Sequence, residues 1–122
     1  MKNRIKSSEV KTVRDELLKQ QGGCAICGEQ PKVPHLDHDH KTGAIRGVLC
    51  SNHNMYLGKI ENSCARYLIP RDQLPDILEK TAKYLREHAI SQHDLVHPTH
   101  KTAEEKTALA KKRRARKLKE QK

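Results

Sequence analysis

Four residues, Cys24, Cys27, Cys50 and His53, constrain this chain more than any other feature, because they form two pairs with metal-ligand spacing. Two residues lie inside each pair and 22 residues separate the pairs. That separation exceeds the roughly twelve residues of a DNA-reading zinc finger and is nearer the spacing of two-knuckle ribbons. Three thiolates and one imidazole complete a closed tetrahedral site, which is typical of structural zinc.

The remaining cysteine, Cys64, could replace His53 as the fourth ligand, but the spacing of His53 mirrors that of the first pair and favours the histidine. Cys64 is then expected to be a small buried residue or an idle thiol. Four cysteines could instead form two disulfides in a secreted protein. The chain shows no apolar signal segment and no stretch long enough to span a membrane, so we expect an intracellular, non-secreted protein without a membrane partner, whose thiols bind metal.

The composition limits the size of the core. The chain has 122 residues, no Phe, no Trp and three Tyr, and its hydrophobic fraction is 34%. So small a core usually needs an additional staple, and zinc binding can supply it because the binding free energy becomes folding free energy. We therefore predict a small, mostly helical α+β fold around a zinc-stapled unit.

Hydrophobic periodicity and turn residues predict a helix, a β-hairpin and a second helix in the first 70 residues. Gly22 ends the first helix, and the turn of the hairpin lies at 41–43. The elements are expected at 8–21, at 35–40 and 44–49, and onward from an N-cap at Ser51 or Asn52. Residues 1–70 are thus predicted to form the zinc-bound core with its N-terminal helix.

An amphipathic helix is predicted next, within residues 71–92, with Pro75 in its first turn. Its apolar stripe should pack on the zinc-bound core or on a second copy of the chain, so a homodimer is one expected arrangement. The stripe consists of Leu74, Ile77, Leu78, Leu85 and Ala89.

Residues 93–122 are predicted to be a linker followed by a basic, DNA-binding tail. Residues 101–122 hold ten Lys/Arg and three Asp/Glu, whereas the first hundred residues hold fifteen and twelve. Thr102 and Glu105 fit a capping box, which predicts a final helix from residue 103. A solvated, solubilising tail is the alternative, but so strong a charge favours a polyanion, above all nucleic acid. The expected contacts are Lys111, Lys112, Arg113, Arg114, Arg116 and Lys117.

Between the two ligand pairs lies a cluster of carboxylates and imidazoles that a structural zinc site does not need. It comprises His35, Asp37, His38, Asp39 and His40. Such residues form strands poorly and are unfavourable to bury. A solvated hairpin edge or a second structural metal would explain them, but their density beside the zinc ligands favours catalysis.

Phosphodiester hydrolysis gives a reason for these residue types. It needs a base for the attacking water, for which histidine suits neutral pH, and positive charge at the phosphate. Mg2+ prefers oxygen ligands, which Asp37 and Asn54 offer. Which histidine is the base stays open from residue types alone. Because neighbouring strand residues point to opposite faces, Asp37 and His38 can act together only if the strand is bent or the metal lies at its end.

Several motifs lie at residues 24–27, 35–40, 42–43, 46–50 and 53–54 with 57–58. Together they resemble the recombination endonuclease VII family, a phage-typical branch of the HNH, or ββα-metal, nucleases. The resemblance covers residues from about 17 to 62. It implies a hairpin and a helix that clasp one catalytic Mg2+ or Mn2+ next to a structural zinc. The family's zinc site typically has four cysteines, and here His53 stands in place of the last.

By the same resemblance, Asp37 and Asn54 would bind the catalytic metal and His38 would be the general base. His40 and His35 would lie close enough to touch the scissile phosphate or to assist the leaving group. Arg46 would contact a phosphate. The expected products carry 5′-phosphate and 3′-hydroxyl ends.

These observations predict a metal-dependent DNA endonuclease that nicks DNA or cleaves junctions and other branched DNA, encoded by a phage and acting in the host cytoplasm. A zinc-stapled DNA-binding or regulatory protein without catalysis is the alternative, although it leaves the Asp/His cluster unexplained. A nuclease acting on RNA is a third reading, and the scarcity of aromatic residues argues against it.

Overall fold

The computed structural model describes residues 3–121 and within that range contains four α-helices and one β-hairpin. Short 3-10 turns at Ser7–Glu9 and Arg71–Gln73 lead into the first and third helices. This architecture confirms the small, mostly helical α+β fold. The helices are α1 (Val10–Gln21), α2 (Ser51–Arg66), α3 (Leu74–Glu87) and α4 (Ala103–Glu120), and the strands are β1 (Pro34–His38) and β2 (Ile45–Cys50).

Helix α1 ends where the sequence predicts. Gly22 adopts a left-handed φ of 78°, and its N–H donates to the Leu18 carbonyl oxygen at 3.0 Å. At Gly23 the chain passes so close to the first ligand loop that a Cβ would lie 2.3 Å from the Gly28 oxygen. Only glycine fits there, and the close approach brings the first cysteine pair directly after α1.

The hairpin contains an irregularity at the position that matters for the site. Strands β1 and β2 are antiparallel, with Asp37 opposite Gly47 but His38 opposite Ile45. Arg46 is therefore an extra residue on β2, as in a β-bulge. The register therefore shifts between Asp37 and His38, the two neighbouring residues that could act together only on a bent strand.

Gln21, the last residue of α1, fastens this helix to β2. Its Nε2 donates to the Val48 oxygen at 3.0 Å and its Oε1 accepts from the Val48 N–H at 2.8 Å, so the side chain pairs with the strand as a neighbouring backbone would. A Cβ at Gly47 would lie 2.9 Å from the same Oε1, so the glycine makes room for this pairing.

The hydrophobic core around the hairpin is very small, as the composition predicts. Cys64 is buried, in agreement with its expected role as a small buried residue. Two acidic residues, Asp37 and Glu61, are buried as well. The buried hydrophobic side chains of the described residues are Cys24, Val48, Leu49, Cys64 and Leu74.

Helix α2 starts directly after β2, so the prediction of an N-cap at Ser51 or Asn52 is wrong. Cys50 occupies the N-cap position, without a side-chain hydrogen bond to the helix. The reason is that strand and helix share this residue, whose N–H donates to the Cys24 sulfur at 3.3 Å. The sequence analysis gave no end for this helix. In the structure it continues through Gly58 to Arg66.

The chain divides into two compact units, one up to Lys80 and one from Thr81 onward. Helix α3 begins at Leu74, with Pro75 in its first turn as predicted. In the second unit, Thr102 Oγ1 accepts from the Glu105 N–H at 3.1 Å, so the basic tail is helical as expected from its cap. The boundaries predicted after residues 70 and 92, between the zinc-bound core, the amphipathic helix and the tail, stay predictions.

A search of the described helices finds none that combines the length and the apolar character needed to cross a membrane.

Candidate active site and metal centre

The two predicted ligand pairs come together in the structure. The donor atoms of Cys24, Cys27, Cys50 and His53 all lie within 4.8 Å of one another. The Cys24 Sγ lies 3.8 Å from the His53 Nδ1, and the Cys27 Sγ lies 3.6 Å from the Cys50 Sγ. A tetrahedral zinc with Zn–S bonds of about 2.3 Å needs donors roughly 3.8 Å apart, so the four residues fit this ion.

Backbone amides favour a thiolate at Cys24. Burial opposes the charge, but hydrogen bonds from backbone amides outweigh it and lower the pKa of this thiol to about 6. One of these donors is the Ile26 N–H, 3.4 Å from the sulfur. At Cys50, burial and the neighbouring sulfurs of Cys27 and Cys24 raise the pKa to about 12. Crowded sulfurs of this kind are stabilised by a divalent cation, which relieves their repulsion.

Asp37 is 8% exposed and is held by Arg46 from the next strand. The Arg46 Nε donates to Oδ2 at 2.7 Å and the Nη2 donates to Oδ1 at 3.1 Å. This paired geometry fixes the plane of the carboxylate. Each oxygen accepts one hydrogen bond from Arg46, so each keeps a lone pair with which it could bind a cation.

The same guanidinium also holds Glu61, which lies on α2 and is 7% exposed. Nη1 donates to Oε2 at 3.0 Å and Nη2 donates to Oε1 at 2.9 Å. Hydrogen bonds to Glu61 first, and to Asp37 second, raise the pKa of Arg46, while Arg46 holds the pKa of Glu61 below its usual range. Four of the five N–H groups of Arg46 thus point at carboxylates, which leaves one for the phosphate contact that the family resemblance implies.

Arg71 completes this group by pairing with Glu61 from the 3-10 turn before α3. The sequence analysis singled out neither Glu61 nor Arg71. One signal was available for Glu61: it lies seven residues after Asn54, so the two residues occupy the same side of α2 two turns apart. No local pattern marks Arg71 as a partner of the site. We call Asp37, Arg46, Glu61 and Arg71 the carboxylate–arginine network.

The other predicted catalytic residues lie on β1, directly after it and in the first turn of α2. The rings of His38 and His40 are 4.7 Å apart, and both side chains are exposed. His35 is half-buried on β1, opposite Leu49. Asn54 is half-buried in the first turn of α2, one residue after the ligand His53.

Asp39 supports the hairpin turn. Its Oδ1 accepts from the N–H groups of Lys41 and Thr42, at 2.8 and 3.2 Å. These two hydrogen bonds lower the pKa of Asp39. This member of the Asp/His cluster therefore shapes the turn that follows β1.

His38 opens onto a cleft between the hairpin and the N-terminal segment. The cleft measures about 530 Å³ and has apolar walls that include Leu36, Ile45 and Val10. Its polar lining consists of His38 and two residues from the start of the chain, Asn3 and Arg4. A cationic side chain and a histidine therefore line one cleft, a combination that suits a phosphodiester.

Only one group among residues 3–121 assembles three or more His, Cys, Asp or Glu donors closely enough for a metal ion, namely the Cys3His group. A cation at Asp37 would accordingly draw few ligands from the protein. Mg2+ usually keeps several waters and binds one or two carboxylates, so the oxygen donors of Asp37 and Asn54 fit it in type and number.

The predicted DNA contacts of the tail lie on α4, in the second unit. All six side chains are exposed, and Arg116 Nε lies 4.0 Å from a carboxylate oxygen of Glu120. The helix therefore presents a strongly basic surface, which fits a polyanionic partner.

The sequence model of the recombination endonuclease VII family matches residues 2–87. This match includes both metal-ligand pairs and the hairpin, and it extends past residue 62, where the resemblance by motifs ends.

Two curated relatives come from mycobacteriophages. The Gene 59 protein of Mycobacterium phage D29 is 34% identical over 71 residues, which cover 55% of this chain and 36% of that protein. The Gene 59 protein of Mycobacterium phage L5 is 46% identical over 41 residues, which cover 30% of this chain and 24% of that protein.

The chain therefore spans well under half of the length of these relatives. The family match, in contrast, covers most of the chain, including the hairpin, α2 and all of α3. On this match, the chain belongs to the recombination endonuclease VII family.

Proposed function

We propose that this protein is a metal-dependent DNA endonuclease of the HNH type. The observation that carries the proposal is the register shift between Asp37 and His38, on a hairpin whose far end is fastened by the Cys3His group. A structural zinc at this group would hold β2 against the first cysteine loop. That role suits a domain with so small a core.

In the proposed reaction, His38 accepts the proton of the water that attacks the phosphorus. Asp37 and Asn54 would hold the catalytic cation, Mg2+ or Mn2+. Such a cation would supply positive charge at the phosphate. His40 and His35 contact the scissile phosphate or assist the leaving oxygen, and the products carry 5′-phosphate and 3′-hydroxyl ends.

The cleft beside His38 is the proposed path of the cut strand. Arg4 supplies the positive charge there, since Arg46 is largely engaged by carboxylates. Arg46 would contact a phosphate only through its remaining N–H. The apolar walls suit the sugar and base flanking the scissile bond.

The basic residues of α4 are proposed to bind the DNA backbone without reading sequence. The match to phage proteins supports a phage protein that acts on DNA inside its host. The exposed apolar side chains of α3, among them Tyr84 and Leu85, would suit a homodimer, and cleavage of branched DNA would follow from two copies acting together.

A second candidate is a zinc-stapled DNA-binding protein without catalysis. One observation favours it: Arg46 engages both oxygens of Asp37, which the nuclease needs as a metal ligand. In such a protein the carboxylate–arginine network would serve the fold alone, and Asp37 would never bind a cation.

Cleavage of three DNA substrates separates the two candidates. The zinc-loaded protein is incubated with supercoiled plasmid, a four-way junction and a linear duplex, with MgCl2, with MnCl2 or without an added divalent cation. We expect cutting only when Mg2+ or Mn2+ is added, and the preferred substrate identifies nicking or junction cleavage. If the protein binds all three DNAs and cuts none with Mg2+ or Mn2+, the nuclease is refuted and the binding protein remains.

A further inference from the structure

We infer that Glu61 and Arg71 tune the affinity of Asp37 for a divalent cation, acting through Arg46. Glu61 and Arg71 are positioning residues in this account, since neither is proposed to touch the cation or the DNA. The inference rests on the proposed function for the cation at Asp37. It adds two residues that the family resemblance did not point to.

The contacts run in one line from Asp37 to Arg71. Arg46 binds Asp37 with two hydrogen bonds and Glu61 with two more, so one guanidinium lies between two carboxylates. Arg71 then pairs with Glu61 Oε2, which also accepts from Arg46, and donates to the Glu61 backbone oxygen at 3.5 Å. A change of charge at Glu61 therefore affects Asp37 through the side chain of Arg46.

Charge determines the direction of the effect. Two carboxylates and two guanidinium groups give the network no net charge, so loss of any one of these charges leaves it with a net charge. Loss of the negative charge at Glu61 leaves the network at +1, and Arg46 then binds Asp37 without a competitor. Loss of the positive charge at Arg71 leaves the network at −1, which attracts a cation.

Burial makes this effect large enough to measure. Asp37 and Glu61 are 8% and 7% exposed, so their charges are weakly screened by water. The Arg71 side chain is 43% exposed, and solvent screens its charge more strongly. We therefore expect a larger effect from a change at Glu61 than from a change at Arg71.

The test measures binding of Mn2+ without DNA, by calorimetry on protein already loaded with zinc. Glu61→Gln should raise the Mn2+ dissociation constant by about tenfold, and Arg71→Gln should lower it about threefold. Asp72→Asn is the matched control, because this exposed neighbour of Arg71 belongs to the same turn but not to the network. Its dissociation constant should equal that of the wild type.

A purely structural role gives a different pattern. Both substitutions would then lower stability and weaken Mn2+ binding together, and this result would overturn the inference. No Mn2+ binding by the zinc-loaded wild type would overturn it as well. Zinc content and circular dichroism establish that each variant folds, and Arg71→Gln alone decides the sign if Glu61→Gln does not fold.

The outcome is separable from that of the proposed function. Opposite shifts in Mn2+ affinity, combined with no DNA cleavage by the wild type, would support the network and refute the nuclease. Cleavage with unshifted Mn2+ affinity in both variants would support the nuclease and refute the role of Glu61 and Arg71.

Discussion

Arg46 holds both carboxylate oxygens of Asp37, through Nε at 2.7 Å and Nη2 at 3.1 Å. This contact exists because the bulge inserts Arg46 into β2 opposite the step from Asp37 to His38. The irregularity beside His38 thus supplies the side chain that orients the Asp37 carboxylate. Lysine could not replace this arginine, because it lacks the planar pair of donors.

Acid should weaken the fold through Glu61. Arg46 holds the pKa of Glu61 below its ordinary value of 4.5, so the ionised carboxylate stabilises the folded state above that value. This stabilisation is lost as the pH falls from about 4.5 through the lower pKa of the folded state. Urea unfolding at several pH values measures it as the free energy of unfolding.

Glu61→Gln removes this titration and is the control. Its free energy of unfolding should fall less steeply below pH 4.5 than that of the wild type, while acid-induced loss of zinc affects both proteins equally. Parallel curves for the two proteins would show that Glu61 does not carry the acid sensitivity.

Removal of zinc should unfold the first unit. Elemental analysis should find one zinc per chain. Chelation of this zinc should remove most of the helical signal in circular dichroism. Structural zinc contributes about 10 kcal/mol or more in small domains, which matches or exceeds the whole stability of many of them. Cys27→Ser should lose the metal and unfold in the same way.

Cys64→Ala serves as the control for the ligand set, because Cys64 is buried outside the Cys3His group. It should keep one zinc per chain and the helical signal. Loss of zinc from this variant together with retention by His53→Ala would make Cys64 the fourth ligand and contradict the assignment.

Arg4→Gln should weaken the placement of DNA in the cleft. We expect the KM for DNA cleavage to rise about fivefold, since one phosphate contact is lost, with a smaller change in kcat. Lys19→Gln makes the same change of charge at an exposed position of α1 that does not line the cleft. Equal kinetic effects of the two substitutions would mean that Arg4 contributes only general charge.

Neutralising the basic surface of α4 should change how DNA binding depends on salt. The affinity for DNA falls as salt rises, so the slope of log affinity against log salt is negative. Replacing four residues by glutamine should make this slope less negative by about 3 to 4. Fluorescence anisotropy with a labelled duplex at several NaCl concentrations measures this slope. The four residues are Lys111, Lys112, Arg113 and Arg114.

A charge-matched control replaces four exposed lysines of the first unit and should change the slope by less. An equal change in both proteins would show that α4 has no special part in binding DNA. The four control residues are Lys11, Lys19, Lys32 and Lys59.

The features predicted best from the sequence are local ones. The end of α1 at Gly22, the hairpin turn and the cap at Thr102 each depend on residues a few positions apart. The metal-ligand pairs were also predictable, because a spacing of two residues places both donors on one turn.

Features that depend on distant residues were missed. Glu61 reaches Arg46 across 15 positions, and nothing in the local pattern at either residue indicates this pairing. The N-cap of α2 was wrong for a related reason: Cys50 is fixed by its contact with Cys24, 26 positions away, and this contact overrides local capping preference. Arg4 was missed because its neighbours in the cleft come from the hairpin.

The most direct test of the central claim compares the rate of DNA cleavage by the wild type and by His38→Ala in a single turnover, with saturating excess of protein over DNA and with Mg2+. Both proteins must carry equal zinc and bind DNA equally. We predict that His38→Ala cuts about 10² to 10⁴ times more slowly, the usual contribution of a general base. Cleavage by the variant at the rate of the wild type would contradict the assignment of His38 as the base.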